Sequence, residues 1–321
     1  MAEQATHRTP PATASATPGL GVVAAAGVCL VAYSYLAALW PSRHGFTPDV
    51  VLLVRTWVNK PTGMGEDFGF LGTALLLMAA GYALTGALYQ GRLVRALRTA
   101  APPLVVAAVV GAVLWLLGLE PLLDTAVTGP VVAVALFTGL TAAVVPLMRR
   151  VAGLGAFVLV EIACVVALAG SWLSGGPDAA RLVGTAATFV PLLALGQLSW
   201  LFRAGRLPAA HGVGLGLLFV ALMVPADLLF PELVGYWHPL GSVVALLVFL
   251  ISLPRGADAA TTGPVRWLAA RAWPLSLSVP VVGYPALSLL EPLPFLVALP
   301  VAVGLTGLAA DGLNRVAGWS A

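Results

Sequence analysis

The chain has 321 residues, of which 60% are hydrophobic and 9% charged; its net charge is +3 and its mean hydropathy +0.98. Soluble domains carry about 25% charged residues, so 16 basic and 13 acidic side chains cannot clothe a water-soluble globule of this size. A soluble enzyme, a disulfide-held secreted scaffold and a disordered chain are excluded, and the expected fold is an all-α polytopic membrane bundle of about ten transmembrane helices.

Residues 1–18, MAEQATHRTPPATASATP, hold no apolar face to bury and are expected to form a disordered tail. The apolar run over 20–40 exceeds the h-region of a cleavable leader and is long enough to span. A single transmembrane domain, 19–321, is expected to follow the tail. A crossing helix needs roughly 20 apolar residues. Runs of that kind fall at 19–40, 68–89, 101–119, 129–148, 151–173, 183–203, 211–230, 238–254, 267–290 and 292–314. Arg149 and Arg150 alone part the fourth run from the fifth, which implies a tight hairpin. Pro274 and Pro280 predict a kink or break in the ninth. The stretch 48–59, PDVVLLVRTWVN, is too short and too charged to cross and reads as an interfacial or partly re-entrant helix.

Basic residues give the orientation. Arg92, Arg95 and Arg98, Arg149 and Arg150, Arg203 and Arg206, and Arg255 and Arg266 fall in alternate connections. Those loops and both termini are therefore expected to be cytoplasmic, in a multi-pass cell-membrane protein. Arg43, Arg55 and Lys60 are out of place in the 41–66 loop, which reads as a solvated loop or a holder of an anion. No basic stripe follows a phosphate backbone, so nucleic acid is not an expected partner; the lipid bilayer is. Neither an inverted repeat nor a matched pair of broken helices points to a secondary transporter.

Ionisable groups at membrane depth are the natural places to look for chemistry, because each costs about 2.5–3.5 kcal/mol on insertion scales. Glu161 lies at the centre of FVLVEIACVV. It reads as a general base, proton carrier or cation ligand, or as a carboxyl hydrogen-bonded within the bundle to an arginine or hydroxyl. Asp227 reads as an interface carboxylate, and Asp311 as the i,i+4 partner of Arg315. Arg271 can snorkel to the cytoplasmic surface. Gln197 and Ser199 suit interhelical hydrogen bonds. His44 and His238 share the outer face, where each can meet the other, Glu66 or Asp67. Tyr236 and Trp237 suit an aromatic belt. Neither the histidines nor Cys29 and Cys164 have metal-ligand spacing, and no metal site is expected. The glycines of TGMGEDFGFLG form no phosphate-cradle pattern and suit close helix packing.

Two stretches carry a family resemblance. EDFGFLGTALLLMAAGYALTGALYQGRLVRALRTAAPP (66–103) resembles the second-helix region of the membrane acyltransferase-3 family, the O-antigen acetylase type, through Gly69-Phe70-Leu71-Gly72, Gly81-Tyr82, Arg92, Arg95, Arg98 and Pro102. VRWLAARAWPLSLSVPVVGYPALSLL (265–290) is similar to the family's penultimate helix through Trp267, Leu268, Arg271, Trp273 and Leu275. The resemblance implies transfer of an acyl group from cytoplasmic acyl-CoA, a co-substrate rather than a resident cofactor, to a hydroxyl of a sugar, lipid or small metabolite. It implies substrate contacts at Arg92, Arg95, Arg98, Arg271 and Tyr82. The family's first helix carries an Arg/Asp/His motif that 19–42 lacks; Ser34 stands where its histidine is expected, and Ser278 near the place of a second one. Glu161 or His44 would then have to serve as the base. The alternative is a catalytically inactive member acting as a scaffold, or a small-molecule permease.

Overall fold

The computed structural model describes residues 18–62, 67–119, 125–173, 176–229, 238–255 and 262–319. All of its regular structure there is helical, as expected where lipid leaves a backbone no partner but itself. The sequence readings on the N-terminal tail, Glu66, Tyr236 and Trp237 lie outside these residues.

Helix α1 starts at Pro18–Ala32, widens into a π-helical stretch over Tyr33–Leu39 and finishes at Trp40–Arg43. A short helix, α2, covers Asp49–Val54, a π-helical turn Arg55–Asn59 and Lys60–Thr62. The bundle continues with α3 (Gly69–Tyr89), α4 (Leu93–Leu116), α5 (Thr125–Arg150), α6 (Ala152–Leu173) and α7 (Asp178–Arg203). Next come α8 (Ala209–Leu229), α9 (His238–Arg255), the short α10 (Gly263–Ala270) and α11 (Ala272–Ser278). A π-helical turn, Val279–Gly283, leads from α11 into α12 (Tyr284–Leu289), and α13 (Phe295–Trp319) closes the chain.

Among the described residues, eight helical stretches are long and apolar enough to cross a membrane, and α8 and α9 contain shorter apolar segments, Ala209–Ala221 and Leu240–Arg255. The ten expected runs thus each fall on a helix, with α10 to α12 together making the ninth. The third begins earlier than expected, since α4 takes in Arg95 and Arg98 before its apolar run. The ninth breaks at Arg271, where φ is −114° and ψ 11°. Pro274 explains the position: it has no N–H to offer the carbonyl four residues back, and its ring crowds that carbonyl.

Helix α7 is the hub, packed against α3, α5 and α6. Leu192, Leu193 and Leu201 of α7 share one core with Met78, Phe137, Leu159 and Phe249. Glycine lets α3 and α7 touch backbone to backbone. A Cβ at Gly81 would collide with the Leu193 carbonyl, and one at Gly196 with the Met78 carbonyl. Gly27 and Gly72 do the same for α1 and α3: a Cβ on Gly27 would lie 3.0 Å from the Gly72 carbonyl oxygen, and one on Gly72 2.8 Å from that of Gly27. Helix α3 ends on Gly91, whose φ of 69° turns the chain so that Arg92 N–H donates to the Ala87 carbonyl at 2.7 Å. That cap places Arg92 just beyond a helix C-terminus, where a cation is favoured.

The intramembrane amides and hydroxyls are partly self-satisfied. Ser199 Oγ donates to the Leu195 carbonyl of its own helix at 2.9 Å instead of reaching across to a neighbour. Gln197 does cross to α5, but to sulfur: its Nε2 donates to Met148 Sδ at 3.8 Å.

Candidate functional site

Small side chains leave an apolar crevice of about 480 Å³ along α1. Gly21 and Ala24 of α1, Ala79, Ala80 and Ala83 of α3, and Ala269, Ala270 and Ala272 of the broken helix line it, with Val131 and Val134 of α5. From Leu20 to Tyr35 it follows α1 for about 22 Å at 1.5 Å per residue, most of a hydrocarbon core of ~30 Å. Its polar lining consists of Tyr35, Thr73, Trp273 and Ser276; no His, Asp, Glu, Lys or Arg lines it. Ser276 Oγ donates to the Trp273 carbonyl at 2.8 Å, so that hydroxyl is already engaged.

The crevice wall is tied to the arginine-bearing helix. Trp273 Nε1 donates to the Ala100 carbonyl of α4 at 3.0 Å. Arg98 precedes Ala100 by two residues, and Arg92, Arg95 and Arg98 are all exposed on this end of the bundle. The same end holds an ion-pair cluster: Arg271 Nε bonds Asp311 Oδ1, and Arg315 Nη2 lies 3.6 Å from Asp311 Oδ2. The i,i+4 pairing of Asp311 with Arg315 is present, but Arg271 is the nearer partner. Arg271 also stacks 4.9 Å above the Trp267 ring, so its guanidinium has two protein contacts. Nearby on this end, Arg206 lies 4.6 Å over Tyr89, whose ring stacks on Trp200 at 5.0 Å.

At the opposite end an aromatic stack joins three chain segments. The Trp40 ring lies 4.0 Å from the His44 ring and 6.1 Å from Phe295, with interplanar angles of 20° and 11°. Phe46 meets Phe295 edge-on at 5.6 Å. Trp40 Nε1 donates to Ser288 Oγ at 3.1 Å. His44 Nδ1 lies 2.8 Å from the Trp40 carbonyl; a carbonyl only accepts, so Nδ1 is the donor. Arg43 sits 5.9 Å over the Tyr284 ring. Neighbouring Asn59 is fully buried: with its amide oriented to satisfy both groups, it donates to Val54 O and accepts from Asp67 N, each at 3.2 Å. Asp67 Oδ1 in turn accepts from Gly69 N at 2.7 Å, capping the start of α3.

The remaining sequence candidates are dispersed. Glu161 is exposed on the outward face of α6, not turned into the bundle, and has no hydrogen bond or ion pair among the described residues. Tyr82 is buried edge-on against Phe249 at 6.1 Å. Asp227 and His238 lie on α8 and α9, and their side chains are outside the described set. Ser34 and Ser278, which the resemblance sets at histidine positions, both sit at π-helical turns. Ser34 lies in the turn of α1, buried against Gly69. Ser278 precedes the other turn, 1% exposed, its hydroxyl unpartnered among the described residues, beside a second apolar cavity of about 330 Å³. The two turns pack on each other.

Among the described residues no group of three His, Cys, Asp or Glu side chains has the geometry to hold a metal ion. The crevice is the feature that sequence reasoning missed; its only signal was the density of Ala and Gly in 20–27, 79–83 and 269–272. The chain matches no protein-family model, no curated protein and no solved structure.

Proposed function

We propose that this protein binds an anionic amphiphile with one long acyl chain, seating the chain in the α1/α3/α5 crevice and the head against Arg92, Arg95 and Arg98. The observation that carries this reading is the Trp273–Ala100 hydrogen bond, which sets the crevice wall against the helix bearing those arginines. An apolar slot of this volume lies within the usual range for small-molecule sites, roughly 300–1,000 Å³. Arginine suits a phosphate-bearing head through its planar fork of donors. With the arginine-rich end on the cytoplasmic side, acyl-CoA is the candidate occupant that the acyltransferase-3 resemblance supplies. On that reading the acceptor is a hydroxyl compound and the reaction is O-acyl transfer.

One observation favours a second reading, binding without turnover. No His, Asp, Glu or Lys lines the crevice, and His44 and Glu161 lie elsewhere. A thioester cleaved by an alcohol needs a group to take the hydroxyl proton. The test uses the purified protein in detergent with palmitoyl-CoA, free CoA and a neutral alkyl glycoside. Stabilisation by palmitoyl-CoA alone, with release of free thiol, supports acyl transfer. Stabilisation without thiol release supports a non-catalytic binder. Equal response to all three, or to none, overturns the amphiphile site.

A further inference from the structure

Helix α6 turns a carboxyl group toward lipid. Leu154, Phe157, Glu161, Val165, Ala169 and Trp172 are its exposed residues at spacings of three and four, so they form one stripe along the outer surface. The stripe extends about 27 Å at 1.5 Å per residue, and Glu161 stands near its middle. Acyl chains offer this carboxyl no hydrogen bond, and the chain's own described residues give it none. Polar side chains within spans characteristically face a partner helix.

We propose that this face of α6 is where a second copy of the chain docks, with the two Glu161 carboxyls meeting across a two-fold axis normal to the membrane. Two copies inserted with the same orientation bring every residue near such an axis opposite its own equivalent at the same depth. A different partner would need a complementary group placed by chance at mid-membrane. A protonated carboxyl both donates and accepts, so a pair of them is self-complementary. The apolar residues on either side, from Leu154 to Trp172, recur every 3.6 residues on average and so supply a continuous seam along one face of a straight helix. The crevice is lined from α1, α3, α5, α10 and α11 and by no residue of α6, so this docking leaves it open.

The experiment uses the full chain, purified and reconstituted in phosphatidylcholine vesicles over a range of protein-to-lipid ratios, in a Cys29→Ser, Cys164→Ala background. Energy transfer between donor- and acceptor-labelled copies reads association. The expected result is concentration-dependent transfer, retained within about threefold by Glu161→Gln, whose amide also donates and accepts, and weakened about tenfold by Glu161→Leu. Leucine in a lipid-facing position leaves the interior packing intact, and a monodisperse, helical variant confirms that. In parallel, Val165→Cys cross-links on oxidation, whereas Val109→Cys on the exposed face of α4 does not. Absence of energy transfer in the parent chain, undiminished association of Glu161→Leu, equal cross-linking at both cysteines, or loss of association in Glu161→Gln as well as Glu161→Leu overturns the proposal. Loss in both variants assigns Glu161 to a cationic group.

Discussion

The Arg271 guanidinium is held between the Asp311 carboxylate of α13 and the face of Trp267 one turn earlier in its own chain. The pair bridges the helix break at the end where Arg92, Arg95 and Arg98 lie. It therefore fixes where α10 leaves α11. Both side chains are partly solvated, so a double-mutant cycle of Arg271→Ala and Asp311→Asn is expected to give a coupling energy of about 1 kcal/mol. Thermal unfolding in detergent at low and high salt checks it, the coupling shrinking as salt rises.

The crevice gives a prediction about chain length. Ala80 lines it, and Ala80→Leu places three more carbons in the slot. If a long acyl chain binds there, affinity for palmitoyl-CoA falls about tenfold, while a short-chain acyl-CoA is little affected; each buried methylene is worth ~0.8 kcal/mol. Calorimetric titration of the two ligands against parent and variant compares them directly.

Loss of the tie between the crevice wall and α4 is a separate matter. Trp273→Phe keeps the aromatic surface and removes the hydrogen bond to the Ala100 carbonyl. Stability is expected to drop by about 0.5–1.5 kcal/mol, and palmitoyl-CoA binding to weaken more than binding of a neutral detergent of equal chain length. A variant that loses both affinities equally would show that the indole merely lines the slot.

Placing a histidine at position 34 is expected to harm the protein. Ser34 is 3% exposed, and its hydroxyl lies against Gly69 so closely that a Cβ on that glycine would have to displace it. An imidazole at 34 overfills this site, at a cost of about 1–3 kcal/mol. Ser34→His should lower the melting temperature without conferring thioester cleavage. A stable, newly active variant would show that the α1–α3 contact can open.

Helix α2 is expected to lie in the headgroup region. Trp57 is 74% exposed and Leu53 60%, while Val51 and Asn59 on the other side are buried. Comparing parent and Trp57→Phe emission in vesicles with bromines at graded acyl depths isolates this residue. The signal that disappears should be the one quenched from the shallowest position.

The order of the helices could be read directly, because long apolar runs leave few alternatives in a bilayer; among the described residues eight helical stretches have the length and hydropathy to cross, against about ten expected. Pro274 announced the break in the ninth run to within one turn, since its missing N–H acts four residues upstream. The facing of the helices was another matter. Helix α6 is apolar on almost every side, so the linear order of FVLVEIACVV could not tell whether Glu161 looks inward or outward; in the fold its own Gly155 and Gly170 lie on the inward face, against Met148 and Gly184. Tyr82 followed from the same limit, being core in the fold where the resemblance had implied a substrate contact. The crevice was hidden because it is made of what is absent, the side chains that Ala24, Ala80 and Ala270 do not have.

The contacts at Gly81, Gly196, Gly27 and Gly72 have a mechanical corollary. Where main chains abut with no intervening side chain, sliding demands that carbonyls pass through one another, so α1, α3 and α7 behave as a single rigid wall. Helices α10 and α11 carry no such contact with α1 beyond Gly21 against Ala269, and their axis is already interrupted at Arg271. The segment from Gly263 to Ser278 is held to its neighbours by side chains instead, through Arg271 on Asp311 and Trp273 on the Ala100 carbonyl.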